Sequence, residues 1–147
     1  LFAGDQQWLP RANALAAKIR EFPAYLVGLN PLEYASPVQT LKVTYHDSCH
    51  LKRELGVHQE PRRLLQEAGH ELLEMEEPDR CCGYGGTYSL GQPEISAAIL
   101  EQKLDAIEAT GAEIVATDCP GCLLHIATGL QGRGSKVRAM HTAQLIL

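Results

Sequence analysis

Every cysteine of the chain falls in one pattern. Cys49 stands alone, thirty-one residues precede the adjacent pair Cys81-Cys82, Gly83 follows, and thirty-five residues later come Cys119-Pro120-Gly121-Cys122. Thiolates bind soft or borderline metals such as zinc and iron, so two close pairs and a fifth cysteine read first as a metal site. The count matters, because a tetrahedral zinc or an ordinary cubane cluster takes four thiolates. A chain that supplies five either holds a larger cluster or keeps one sulfur spare.

The residues around the cysteines favour the deprotonated thiol. Asp47 or Ser48 is placed to cap a helix whose first turn holds Cys49, and Pro120 suits a first helical position directly after Cys119. Two thiolates would then face helix N-termini, where partial positive charge lowers a thiol's pKa. In Cys81-Cys82-Gly83-Tyr84-Gly85-Gly86, three glycines let the backbone approach closely and turn N–H groups toward sulfur. The plainer reading of those glycines is a tight turn, and the adjacent cysteines weigh against it. Cys119-Pro120-Gly121-Cys122 taken alone also reads as a thioredoxin-like dithiol, which leaves three cysteines unexplained.

The elements that must position these residues can be read from periodicity. Residues 10–29 open with Pro10, space Leu15, Ile19 and Phe22 helically, and are interrupted at Pro23 before a second short helix ends near Leu29. Residues 30–39 carry Pro31 and Pro37 and read as an irregular connector. From Leu41 onward short apolar runs alternate with amphipathic segments. Strands are expected at 41–46, more weakly at 70–75, at 112–117 and at 136–140. Helices are expected up to Gly56, from Pro61 to Gly69, from Pro93 to Gly111 with Ile95, Ala98, Ile99, Leu104 and Ile107 as its core stripe, over 120–130, and from Thr142. This alternation predicts an α/β fold: a parallel four-stranded sheet flanked by helices, with an N-terminal helical arm. Cys49, Cys81-Cys82 and Cys119 then follow successive strands at their carboxyl ends, the edge where loops of open parallel sheets gather ligands.

Composition narrows the function classes. With 147 residues and 45% hydrophobic content the chain can build a proper core. A net charge of -5, with no basic run or aromatic ladder, argues against nucleic acid and anionic membranes as partners. No stretch is long enough to span a bilayer, so direct membrane insertion is not expected. An odd number of cysteines, two of them adjacent, makes a poor disulfide framework and points to a reducing, cytoplasmic setting. The chain opens with Leu1, which reads as a fragment lacking an N-terminal piece.

The five cysteines together resemble the CCG domain, the cysteine-rich module of heterodisulfide reductases, glycolate oxidase iron-sulfur subunits and lactate utilisation protein A. The resemblance runs from Leu41 to the end. His46-Asp47-Ser48-Cys49-His50-Leu51, Arg53-Glu54-Leu55-Gly56-Val57 and Cys81-Cys82-Gly83-Tyr84-Gly85-Gly86-Thr87-Tyr88 look closest to the lactate utilisation branch, as do Pro93-Glu94-Ile95-Ser96 and Ile107-Glu108-Ala109-Thr110-Gly111-Ala112. Cys119 departs from several members of that branch and matches heterodisulfide reductase. The resemblance implies an iron-sulfur electron-transfer domain, not itself catalytic, in an oxidoreductase complex that oxidises lactate or a related 2-hydroxy acid. It implies a [4Fe-4S] cluster, noncubane in the reductase, with Cys49, Cys81, Cys82, Cys119 and Cys122 as ligands and Gly83 beside it. It also implies iron-sulfur or flavin oxidoreductase subunits as partners, through which the complex meets a membrane if it does. Members carry two such domains in tandem, so residues 1–40 would be the arm and linker from a missing N-terminal domain and residues 41–147 the CCG domain. The alternatives it leaves are a structural zinc-binding CCG domain and a heterodisulfide reductase-type thiol/disulfide domain.

Other candidates are weaker. His50, His125 and His141 could each approach the same sheet edge, but capping or surface roles are commoner for imidazole, and His46 is read as belonging to the strand's surroundings. Lys52, Arg53, Arg62 and Arg63 could face an acidic partner, although a solvated helix face is the commoner explanation. Tyr84 and Tyr88 could shield a cluster or simply pack the loop.

Overall fold

A computed structural model describes residues 2–29 and 39–146. The expected connector over 30–39 lies almost wholly outside them. Two helices come first, α1 (Leu9–Ala16) and α2 (Phe22–Gly28). The sheet-bearing part follows as β1 (Lys42–Tyr45), a π-helical turn His50–Glu54, α3 (Gln59–Glu67), β2 (Glu71–Leu72), α4 (Tyr88–Gly91), α5 (Pro93–Ala109), β3 (Ile114–Thr117), α6 (Pro120–Gly132), β4 (Arg138–His141) and α7 (Ala143–Ile146).

The four strands form one all-parallel sheet in the order β2-β1-β3-β4, as the alternation predicts. Chain direction across the sheet reverses between β1 and β3: β2 lies on one side of β1, while β3 and β4 run away on the other. Such a switch point leaves a crevice at the carboxyl ends of its two strands. Cys49 follows the first of them and Cys119 the second.

Strand alternation sorts the core into two layers. Val43, Tyr45, Ile114 and Ala116 point to one face and pack with Leu64, Leu65, Ala68, Leu145 and Ile146, against which Phe22, Leu26 and Val27 of α2 also rest. Val115 points to the other face, into a layer of Leu100, Leu104, Ile107, Ile126 and Leu130 that also contains Cys82 and Cys122. Two cysteines are thus part of the α5–α6 core layer. A buried histidine ties the sheet edge to the C-terminus: His70 Nδ1 accepts from Leu41 N–H at 3.4 Å, and its Nε2 lies 2.8 Å from the Leu145 carbonyl.

Several expectations are corrected. Leu15 and Ile19 are exposed and α1 buries no residue, because the helix stops at Ala16 before the apolar stripe is complete. The second strand has only two residues, and after the Leu73 N–H bond to the Val43 carbonyl at 2.8 Å the chain enters the loop that leads to Cys81. The α5 stripe is rotated: Ser96, Leu100, Lys103, Leu104 and Ile107 are buried, whereas Ile95 is exposed. The rotation has a polar cause. Ser96 donates to the Gly83 carbonyl at 2.9 Å, and Lys103 Nζ donates to the carbonyls of Glu77 at 2.9 Å and Pro78 at 3.4 Å. Buried carbonyls of the cysteine loop need donors, and α5 supplies them.

Candidate metal centre

The loop after β1 is anchored at both neighbours. His46 N–H donates to Ala116 O of β3 at 2.9 Å, and Asp47 N–H donates to Pro78 O of the loop before Cys81 at 3.0 Å. The Asp47 carboxylate does not cap a helix. It is buried and takes two bonds from Arg62, at 2.8 and 3.1 Å, while Arg62 also binds Glu74 and the His58 carbonyl. Cys49 itself stands at the start of the π-helical turn, with no side-chain cap there. Of the basic group, Arg62 is turned inward, whereas Lys52 pairs with Asp79 at 3.1 Å and Arg63 with Glu67 at the surface.

The loop after β2 carries Cys81 exposed and Cys82 buried. Gly83 takes φ +91, where its N–H lies 3.3 Å from the Cys81 sulfur. Gly85 and Gly86 also have positive φ, so the glycines of this loop meet a backbone need that other residues satisfy at a cost. The third loop places Cys119 at the N-cap of α6, with Pro120 opening the helix as the sequence indicates. The Tyr84 ring lies over Gly121, where a Cβ would come within 2.4 Å of it, and tilts against His125 at 5.8 Å between ring centroids. Tyr84 therefore packs one cysteine loop directly onto the other.

Three of the five sulfurs come together. Cys82 and Cys122 are both buried, and their sulfurs lie within 4.8 Å of each other and of a ring nitrogen of His46. Cys119, half-buried, shares a hydrogen bond with Cys122. The contact with Cys122 is the main reason the Cys82 thiol is lowered to about 4; burial opposes it, and His46 and the Tyr84 amide assist. Cys119 is lowered to about 5 for the same first reason, with burial again opposed and the first-turn amides of α6 and His50 favouring the thiolate. Cys122, shared between Cys119 and Cys82 and then buried, is pushed far above the ordinary thiol range. In the trio, Cys82 and Cys119 lean toward the thiolate and Cys122 toward the thiol, each through its sulfur neighbours. A thiophilic cation fits such a donor set, since it displaces the remaining proton and replaces sulfur–sulfur contact by attraction.

Cys49 and Cys81 are exposed. The electrostatic influence of His50, the neighbour of Cys49, reaches Cys119, while the Asp47–Pro78 bond joins the first loop to the second. All five thiols are free.

The remaining histidines take supporting roles. Ser96 Oγ donates its proton to Gly83, so the 3.3 Å contact with His125 Nε2 has the imidazole N–H donating. His141 Nδ1 accepts from Ala143 N–H at 3.1 Å at the start of α7. The residue missed by sequence reading is His46. It continues β1 by one position, and alternation puts it with Thr44 on the face opposite Val43 and Tyr45, the face that holds Cys82 and Cys122. Strand parity was the available signal.

A parallel sheet whose carboxyl-end loops carry all the cysteines defines a cysteine-rich domain of the α/β class. The pattern of the CCG cysteine-rich domain family matches residues 43–127, and the chain belongs to that family. It is 37% identical to lactate utilization protein A of Lysinibacillus sphaericus, over 99% of this chain and 64% of that protein. It is 40% identical to the probable glycolate oxidase iron-sulfur subunit of Bacillus subtilis, over 100% of this chain and 34% of that protein. Lactate utilization protein A of Shouchella clausii is 39% identical, over 99% of this chain and 62% of the relative. The chain thus spans about a third to two thirds of the length of these curated relatives. No helix among the described residues is long and apolar enough to cross a membrane.

Proposed function

We propose that this chain is an iron-sulfur-binding electron-transfer domain of an oxidoreductase that acts on lactate or a related 2-hydroxy acid. The observation that carries the reading is the trio of buried Cys82 and Cys122 with half-buried Cys119 at the carboxyl end of the sheet, with Cys49 and Cys81 on the two loops bonded to each other beside it. All five cysteines serve as ligands to a [4Fe-4S] cluster, noncubane because five thiolates exceed what a cubane takes. Such a cluster supplies one-electron acceptance and donation between a substrate-oxidising partner and the next acceptor.

The chain's own residues hold and shield that centre. Gly83 turns its amide to the Cys81 sulfur, Tyr84 closes the gap between the second and third loops, and Lys103 and Ser96 fix the carbonyls of the second loop. No acid–base residue is assigned. The partners are iron-sulfur or flavin subunits, as the relative named an iron-sulfur subunit suggests. Residues 1–40 serve as an arm and linker from a preceding domain and 41–147 as the cysteine-rich domain. Five free thiols suit a reducing, cytoplasmic setting.

One observation favours a second reading. His46, Cys82 and Cys122 gather within 4.8 Å, and Cys119 adjoins them, so four donors could serve a single zinc with no redox role. Metal analysis of chain produced without oxygen separates the two. The expected result is brown protein with about four iron and matching acid-labile sulfide per chain. Colourless anaerobic protein with one zinc would overturn the electron-transfer reading.

A further inference from the structure

The geometry points to His46 as a tuning residue of the metal centre: with the centre loaded, its imidazole donates an N–H hydrogen bond to a sulfur of the buried Cys82–Cys122 pair and raises the reduction potential of the group held there. The proposal deepens the electron-transfer reading and, for its effect on potential, rests on it.

The argument starts from an unpartnered polar group. His46 is only 1% exposed, and neither ring nitrogen has a hydrogen-bond partner. A buried donor left without an acceptor costs about 1–3 kcal/mol. The ring cannot turn out to water, because its backbone is pinned to β3 by the 2.9 Å bond to Ala116 O and the strand's alternation fixes the face it points to. On that face a ring nitrogen lies within 4.8 Å of the sulfurs of Cys82 and Cys122. Both sulfurs belong to ligands of the proposed centre, so either can accept the N–H.

A donor role fits the ligand count better than direct ligation. Five thiolates already exceed a cubane's need, so a nitrogen ligand has no place to fill, whereas N–H groups aimed at ligand sulfur stabilise the more negative, reduced state. Gly83 already plays this part for Cys81 through its amide at 3.3 Å. His46 would do the same for the buried sulfurs beside it.

Two measurements test it. In the anaerobically loaded protein, redox titration compares wild type with His46→Leu, which removes the donor, and His46→Gln, which keeps an N–H. The expected result is unchanged iron and sulfide content, a tenfold weaker hold on the electron in His46→Leu, equivalent to about 59 mV more negative, and a smaller shift in His46→Gln. An unaltered potential in fully loaded His46→Leu overturns the proposal, as does nitrogen hyperfine coupling that shows imidazole bound to iron. The second measurement needs no variant that folds poorly: 15N NMR of the metal-free, reduced wild-type chain should show an imidazole N–H protected from exchange. A rapidly exchanging ring would overturn the donor role. If the wild type carries zinc and no iron, the electron-transfer reading falls on its own evidence, while a rapidly exchanging His46 ring would still overturn the donor role.

Discussion

Replacing Gly83 by alanine should separate backbone strain from steric blockage at the heart of the cysteine loop. Gly83 has φ +91, a conformation that costs an L-residue about 1–2 kcal/mol. A Cβ there would also stand 2.5 Å from the Ser96 carbonyl oxygen and 3.2 Å from the Ile99 Cβ, both on α5. The oxygen is helix backbone and cannot rotate away. The loop must therefore move, losing the 2.9 Å bond from Ser96 Oγ to the Gly83 carbonyl, worth about 1 kcal/mol, and shifting Cys82 from its buried position. The combined cost should be about 2–4 kcal/mol. Gly86 supplies the control: it has φ +60, but nothing lies within 4 Å of where its Cβ would be. Gly86→Ala should therefore show only the strain, about 1 kcal/mol. Urea unfolding of both variants measures the costs, and metal content of the anaerobic proteins should fall for Gly83→Ala alone. Equal destabilisation of the two variants, or full metal occupancy in Gly83→Ala, would refute the claim that the loop is wedged against α5.

Two further outcomes follow from the buried charges. Arg62→Ala strips the bidentate partner from Asp47, whose side chain is 2% exposed and whose next cation, Lys52, is 3.9 Å away; unfolding should show a loss of about 3 kcal/mol. Arg62→Lys should recover little, because one ammonium cannot bridge Asp47 and Glu74 as the guanidinium does. Lys103 is fully buried, and burial, with Arg80 adding repulsion, lowers it to about 8 from 10.5. The unfolded chain then binds a proton that the folded chain releases between those values, so stability should rise as pH climbs from 8 to 10.5, by about 3 kcal/mol. The unfolding free energy of wild type minus that of Lys103→Met, followed over this range, isolates the effect; a flat difference would show that Lys103 is not so perturbed.

Much of this architecture was written in local pattern, and the failures share one cause. Strand runs such as Val43 to Tyr45 and Ile114 to Thr117 and the punctuation by Pro93, Gly111 and Pro120 locate elements because backbone sterics act over a few residues. The parallel order follows from strand–helix alternation. The rotated face of α5 could not be read this way: Ser96 and Lys103 turn inward for the carbonyls of Gly83, Glu77 and Pro78, acceptors thirteen to twenty-six positions away that periodicity does not register. The cap expected from Asp47 failed similarly, since Arg62 on α3 competes for the carboxylate and wins with two charge-assisted bonds. Cysteine spacing picked out the sulfurs, but only tertiary packing shows that Cys82, Cys119 and Cys122 form the inner trio while Cys49 and Cys81 are exposed.

That division has a physical origin in the sheet. Cys82 and Cys122 belong to the same packed layer as Val115, Leu104 and Ile126, so the inner sulfurs are held as rigidly as core side chains and cannot retreat from one another. Sulfurs that lean toward the thiolate at such close quarters are tolerable only where neighbouring groups offset the charge, and the surroundings supply them: the first-turn amides of α6, the Tyr84 amide, and the imidazoles of His46 and His50. Cys49 and Cys81 sit instead at solvent-facing positions whose anchoring is by backbone bonds on either side. The inner three are thus preorganised before any metal arrives, and the outer two are the residues free to adjust around what the inner three hold.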